Sequence, residues 1–104
     1  MELTILERLM TLGLFAGREG NMTFLRAVRE LAGKVGLAAD EIKKFEIKEE
    51  DGQTKWSPKY GETAFEISFS GGEHSMITEA LQKLEKEERL TENHFSLYEK
   101  FVEK

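Results

Sequence analysis

The spacing of apolar residues changes twice along the chain, and this change most constrains the fold. In residues 3–44 apolar side chains recur every three to four positions, which is the spacing of one face of an α-helix. In residues 45–69 they alternate with polar ones, as in strands that bury one face. The helical spacing returns in residues 76–102. Helices and strands segregated in this way predict the α+β class.

The N-terminal part predicts three helices. The first covers residues 3 to about 12, where a glycine follows. The second begins at an N-cap, Asn21 or Thr23, and stops before Gly36, since both residue types favour helix ends. A short third helix is expected over about residues 39–44, with acids at its start and lysines at its end.

The middle of the chain predicts three strands. Residues 45–48 and 53–57 flank Asp51-Gly52, a pair that suits the type I′ turn of a hairpin. Residues 64–69 form the third strand, and short connections predict a three-stranded antiparallel meander. One face of that third strand should be buried, with Glu66 and Ser68 on the exposed face and these residues inside: Phe65, Ile67 and Phe69.

The C-terminal part predicts two more helices, one after Ser70-Gly71-Gly72 and one that opens at Thr91. The last helix carries an apolar stripe of four residues: Phe95, Tyr98, Phe101 and Val102. We expect this stripe to dock, because terminal segments stay loose unless apolar contacts hold them. It covers either the rest of the chain or the same stripe of a second copy. The four residues are therefore the predicted interaction surface, and a homodimer is one alternative.

The whole chain of 104 residues is expected to form a single domain over residues 1–104. Its predicted order is ααα-βββ-αα, with about five helices. Three helices followed by a hairpin is the order of a winged helix, so the N-terminal part is winged-helix-like.

Residue types that carry chemistry are scarce. The chain has no cysteine, and its two histidines, His74 and His94, lie twenty positions apart without zinc-ligand spacing. Neither a nucleophile elbow nor a phosphate-binding glycine pattern occurs. We therefore expect no catalytic residues, no metal and no cofactor, and a protein that is not an enzyme.

The charge distribution disfavours nucleic acid as a partner. The net charge is −5, and residues 46–104 carry eight basic and fourteen acidic groups. Residues 1–45 carry seven basic and six acidic groups, so phosphate contacts would come from there. Under the winged-helix alternative the contacts are Arg26, Arg29, Lys34, Lys43 and Lys44. The acids of the predicted recognition helix and wing would repel phosphates: Asp40, Glu41, Glu46, Glu49, Glu50 and Asp51.

No apolar run approaches the roughly 18 residues that span a bilayer, and the first residues lack the cationic region of a signal peptide. With no cysteine for a disulfide, the expected location is the cytoplasm, with no membrane partner.

Several short segments together resemble small, uncharacterised proteins that tailed bacteriophages and prophages encode. The resemblance runs nearly from end to end and is most distinctive near the C-terminus. Its segments are residues 3–4, 7–9, 19–21, 29–31, 41–43, 51–52 with Trp56, 84–91 and 96–102. The resemblance implies a phage-encoded protein that acts in the cytoplasm of a bacterial host cell. It implies no catalytic residue.

These observations predict a non-enzymatic phage-type accessory protein that acts by binding another protein, of host or phage origin or a second copy of itself. An acidic protein of this kind can be steered to basic surfaces by electrostatics. The alternative is a winged-helix-like DNA-binding regulator.

Overall fold

The computed structural model describes residues 1–103, and of Pro58 the backbone alone. Five α-helices lie in this part of the chain: α1 (Ile5–Phe15), α2 (Met22–Val35), α3 (Ala39–Lys44), α4 (Gly71–Lys86) and α5 (Phe95–Phe101). Four short strands accompany them: β1 (Glu2–Thr4), β2 (Lys48–Glu50), β3 (Gln53–Lys55) and β4 (Ala64–Glu66). Single 3₁₀ turns, Pro58–Tyr60 and Glu92–His94, precede β4 and α5. The predicted α+β class is confirmed.

The strands form two separate antiparallel pairs instead of the predicted meander. The hairpin β2–β3 is present, and Asp51 (φ 50°) and Gly52 (φ 77°) adopt the positive φ angles that its turn requires. Strand β4 pairs with β1, so that Leu3 lies opposite Phe65. The meander and the order ααα-βββ-αα were therefore wrong, because a strand precedes the first helix and pairs across the molecule.

The start of α1 explains this correction. The Thr4 hydroxyl accepts the backbone N–H of Glu7, and the Glu7 carboxylate accepts that of Thr4, which forms a capping box. Helix α1 consequently begins at Ile5, and Leu3 lies in an extended segment that can pair with β4. The hairpin strands are polar on both faces and have no apolar side to pack against β4.

The core lies where β1, α1, the C-terminal half of α2, α4 and α5 meet. Its best-buried apolar side chains are Leu3, Ile5, Leu31, Val35, Ile77, Leu81 and Leu97. The third predicted strand is shorter than expected, since β4 ends at Glu66 and residues 67–69 lie outside it. The alternation of burial is nevertheless present: Ile67 is buried, Phe65 and Phe69 are only half-buried, and Glu66 and Ser68 are exposed.

Most predicted helix boundaries agree with the structure. Asn21 caps α2 at its start and Gly36 at its end, and α3 spans the predicted residues. Helix α1 continues to Phe15, past Gly13, where a glycine stop was expected. Within residues 1–103, no helix is both long enough and apolar enough to cross a membrane.

Candidate functional site

The interior holds a charged side chain, Arg8, that is only 4 % exposed. Its Nε donates to the carbonyl oxygen of Val35 (2.9 Å), and its Nη2 donates to that of Gly36 (2.7 Å). The guanidinium also donates two bonds to the Glu41 carboxylate, at 3.0 and 3.2 Å, and lowers the pKa of that carboxyl. Since the last carbonyls of a helix lack partners within it, Arg8 closes the end of α2 and links it to α3.

A second buried charge, Glu7, joins the two ends of the chain. Its Oε1 accepts from Lys100 Nζ (2.7 Å), and Lys100 also donates to the carbonyl oxygen of Glu2 (2.6 Å). Burial by itself would raise the pKa of Glu7. The hydrogen bonds from Lys100, Thr4 and Ser96 outweigh that effect, so this pKa lies below its ordinary value. Helix α5 is thereby tied to α1 and β1.

The third buried charge, Glu73, ties α4 to α2. Its carboxylate accepts from the backbone N–H of Ser70 (2.8 Å) and from Lys34 Nζ. Burial raises the pKa of Glu73, and the bonds from Lys34 and Ser70 lower it by more. Two of the three buried charges could have been found in the sequence, because Thr4 and Glu7, like Ser70 and Glu73, have capping-box spacing. Arg8 has no such signal.

The predicted C-terminal stripe docks on its own chain, and only part of it faces solvent. Phe101 is 4 % exposed and belongs to the core, whereas Phe95 is 64 % exposed. Tyr98 and Val102 are half-buried. The prediction missed Leu97, which is completely buried one turn before Phe101. Because α5 contacts α1 and α4 through this pair, Phe101 is a core residue and does not belong to an interaction surface.

The five basic residues of the DNA-binding alternative do not share one environment. Arg26, Arg29, Lys43 and Lys44 are exposed, on α2 and on α3. Lys34 is bound to the buried carboxylate of Glu73, so its charge is already paired. The predicted acids Asp40, Glu46, Glu49, Glu50 and Asp51 are exposed as well.

The two histidines serve packing and capping. Nδ1 of His94 accepts the backbone N–H of Thr91 (2.9 Å) and so closes the turn before α5. Burial lowers the pKa of His94. The ring of His74 lies 4.9 Å from that of Phe101. Across residues 1–103, no three potential metal-ligating side chains come together.

A groove of about 200 Å³ lies between α1 and α2. Apolar side chains from both helices line it, together with Thr11: Leu12, Phe15, Ala16, Val28, Leu31, Ala32 and Val35. The Thr11 hydroxyl already donates to the carbonyl oxygen of Glu7 (2.8 Å). The groove therefore presents an almost entirely apolar lining to a bound side chain.

Exposed apolar side chains extend this groove along α2. Met22 and Leu25 lie one turn apart and are both exposed. Leu25 shares a helix stripe with Val28 and Ala32, at positions i, i+3 and i+7, so it continues the groove lining. We call the groove lining together with Met22 and Leu25 the groove surface. The sequence showed which face of α2 is apolar, but it did not show that Leu25 on this face stays exposed.

Two arginines border the groove surface. Arg29 follows Leu25 by one helical turn and is exposed. Arg18 lines the neighbouring cavity between α1 and α4, and its guanidinium carbon lies 5.9 Å from the ring centroid of Phe15, which lines the groove. Within residues 1–103 neither arginine forms an ion pair. The groove surface is thus an apolar strip with a positive border.

A larger cavity of about 450 Å³ opens between α1 and α4. Its lining combines apolar residues such as Leu9 and Leu84 with charged ones, among them Lys83 and Arg89. Arg89 is paired with Glu87 at 3.6 Å. This cavity brings together no pair of side chains with the hydrogen bonding of a nucleophile and its base.

Comparisons with protein-family models, curated protein sequences and solved structures found no match for this chain.

Proposed function

We propose that this protein is a non-enzymatic accessory protein of the phage type, and that it acts by binding another protein through the groove surface. The observation that carries the proposal is the exposed apolar strip of α2, where Met22 and Leu25 continue into the groove. Single exposed apolar residues are common on proteins, whereas contiguous exposed apolar patches mark interaction sites. The resemblance to phage-encoded proteins supports a partner in the bacterial host cell.

The positive border indicates the chemistry of the partner. Arg18 and Arg29 are exposed or half-buried beside an apolar strip on a chain of net charge −5. A partner segment with an apolar side chain and acidic neighbours would fill the groove and face both arginines. Complementary charges of this kind raise the association rate and select the partner.

A pair of matched variants tests the proposal. Leu25 and Ile42 are each 42 % exposed, but Ile42 lies on α3 outside the groove surface. The tagged wild-type chain, Leu25→Ser and Ile42→Ser are used to capture proteins from a bacterial lysate. Each captured protein is then purified and titrated against the three chains.

The expected result is a protein that binds wild type and Ile42→Ser with equal affinity and Leu25→Ser about tenfold or more weakly, as for a central interface residue. Equal binding to all three chains would show that the groove surface is not the site. Loss of binding after nuclease treatment would show that nucleic acid carries the contact.

The DNA-binding regulator is the second candidate, and the exposure of Arg26, Arg29, Lys43 and Lys44 favours it. Titration of duplex DNA at two salt concentrations tests it, because phosphate contacts weaken steeply as salt rises. Micromolar binding with that salt dependence, weakened by Arg26→Ala and Lys43→Ala, would favour this candidate over the first.

A further inference from the structure

The protein carries on its own surface a segment with the chemistry that the groove surface fits. Phe95 is the most exposed large apolar side chain of residues 1–103. Glu92 precedes it by one 3₁₀ turn and Glu99 follows it by one α-helical turn, so the spacing places one carboxylate before the ring and one after it along the helix. Both are exposed. We call these three residues the Phe95 knob.

We propose that the Phe95 knob of one copy binds in the groove surface of a second copy. This inference rests on the proposed function, since it names the occupant of the same groove. The partner it selects is the protein itself.

The volumes agree. The groove holds about 200 Å³. A cavity of about 150 Å³ lined by aliphatic and aromatic side chains is large enough to bind benzene. The groove therefore has enough volume for a phenyl ring, which would contact Leu12, Val28 and Ala32 there.

The charges agree as well. Glu92 precedes the ring and Glu99 follows it, each by one turn. Near the groove, Arg18 lies beside the ring of Phe15 and Arg29 follows Leu25 by one turn. Within the described chain, neither glutamate is paired with a cation. Docking of the knob places two negative charges beside two positive ones at the edge of an apolar contact. Such an edge favours this orientation of the ring over others.

The fold leaves both surfaces available at once. The packing of α5 uses Leu97 and Phe101, and Tyr98 donates to Glu85 on α4, so Phe95 is not needed to hold the helix in place. The packing of α2 uses Leu31 and Val35 and leaves Leu25 outside. Self-association thus requires no rearrangement of the monomer.

The knob and the groove surface are different parts of the molecule, so copies can combine in two ways. Two copies that exchange both contacts form a closed dimer, and copies that make one contact with each neighbour form an open chain. A single inserted ring corresponds to a small interface. We expect a dissociation constant between about 10 µM and 1 mM, typical of weak contacts.

Sedimentation equilibrium of the full chain up to roughly 1 mM tests the association. The wild type is expected to associate with concentration. Phe95→Ala and Leu25→Ser are each expected to weaken the association about tenfold or more, and the control Ile42→Ser is expected to leave it unchanged. A wild type that stays monomeric over this range, or that associates equally with and without Phe95, overturns the proposal.

A charge exchange tests which surfaces meet. One variant combines Glu92→Lys with Glu99→Lys, and the other combines Arg18→Glu with Arg29→Glu. Each variant alone places like charges together and is expected not to associate. Their mixture restores opposite charges at every contact and is expected to associate like the wild type. Association of either variant alone, or failure of the mixture when both are folded by circular dichroism, overturns the proposed pairing.

These results separate the inference from the proposed function. If the wild type is monomeric but a captured protein depends on Leu25 and not on Ile42, the self-association fails and the proposed function stands. If no protein of either kind depends on Leu25, both fail.

Discussion

Helices α1 and α2 lie side by side, yet α1 buries polar side chains whereas α2 leaves apolar side chains exposed. Helix α1 buries the polar residues Glu7, Arg8 and Thr11. Helix α2 has the more regular apolar stripe, yet of its fourteen residues only Leu31 and Val35 are buried. Met22 and Leu25, at its other end, stay exposed.

The difference shows that burial follows from neighbours as much as from pattern. Helix α1 is surrounded by β1, α2, α4 and α5, so its charged side chains must find partners inside. Helix α2 packs mainly on α1, and at its N-terminal end Phe24 packs against the core while Met22 and Leu25 stay exposed. The buried charges of α1 are tolerated because they are paired. The apolar residues Met22 and Leu25 of α2 stay exposed because no element within residues 1–103 covers them.

The largest effect is expected from Arg8→Ala. This change removes the buried guanidinium that donates to the carbonyl oxygens of Val35 and Gly36 and to Glu41, which keeps only the Ala38 N–H as a donor. We expect it to lower the free energy of unfolding by about 3–5 kcal/mol, as for breaking a buried ion pair. Urea unfolding measures it. Arg29→Ala, the same change on the exposed face of α2, should stay within about 0.5 kcal/mol of wild type. Equal losses of stability in Arg8→Ala and Arg29→Ala would contradict the difference in burial between α1 and α2.

The next largest effect is expected in α5, where two apolar residues differ in burial. Leu97→Ala creates a cavity in the core and should cost about 2–5 kcal/mol. Phe95→Ala removes a larger side chain from an exposed position and should cost well under 1 kcal/mol for the monomer. Thermal unfolding at low protein concentration, where association is negligible, compares the two. If Phe95→Ala lowers stability more than Leu97→Ala does, Phe95 is a core residue and not an exposed one.

Acidification should weaken the chain through the buried carboxylates of α1 and α4. The pKa values of Glu7 and Glu73 lie below the ordinary value of 4.5 in the folded chain. The unfolded chain therefore binds protons first. The stability that these groups contribute is complete above about pH 4.5 and is lost as pH falls through their lowered values.

Glu7→Gln tests this dependence. We expect it to lower stability by about 1–3 kcal/mol at neutral pH, since bonds to a charged acceptor are replaced. It should also make the decline below about pH 4.5 shallower. Urea unfolding at several pH values measures both effects, with the exposed Glu30→Gln as control. An unchanged pH profile would mean that Glu7 does not titrate differently in the folded chain.

The smallest effect on stability is expected from the groove surface. Met22→Ser with Leu25→Ser removes two exposed apolar side chains and should change the free energy of unfolding of the monomer by no more than about 0.5 kcal/mol. The same variant should bind its partner much more weakly. Calorimetric unfolding and a binding titration on one preparation check both halves. A large loss of stability would show that α2 needs these residues for folding.

Local signals in the sequence determined most of the helices and the hairpin. Three features depend only on contacts within a few residues: the bounds of α3, the caps of α2 and the Asp51-Gly52 turn. They can therefore be predicted from the sequence alone. The alternation of residues 65–69 is equally local in the sequence, although strand β4 itself ends at Glu66.

Only the tertiary structure shows which of these helices and strands contact one another. The pairing of β4 with β1 joins residues about sixty positions apart. The capping-box spacing of Thr4 and Glu7 places Leu3 outside the helix, but no local pattern shows that this segment pairs with β4. The same holds for α5, where both faces carry apolar residues and the contact with α1 and α4 selected Leu97 over Phe95. The partners of Arg8, which lie 27 to 33 positions away, follow from the packing of three helices. Long-range contacts depend on the combined shape of the elements, and residue spacing along one element does not contain that shape.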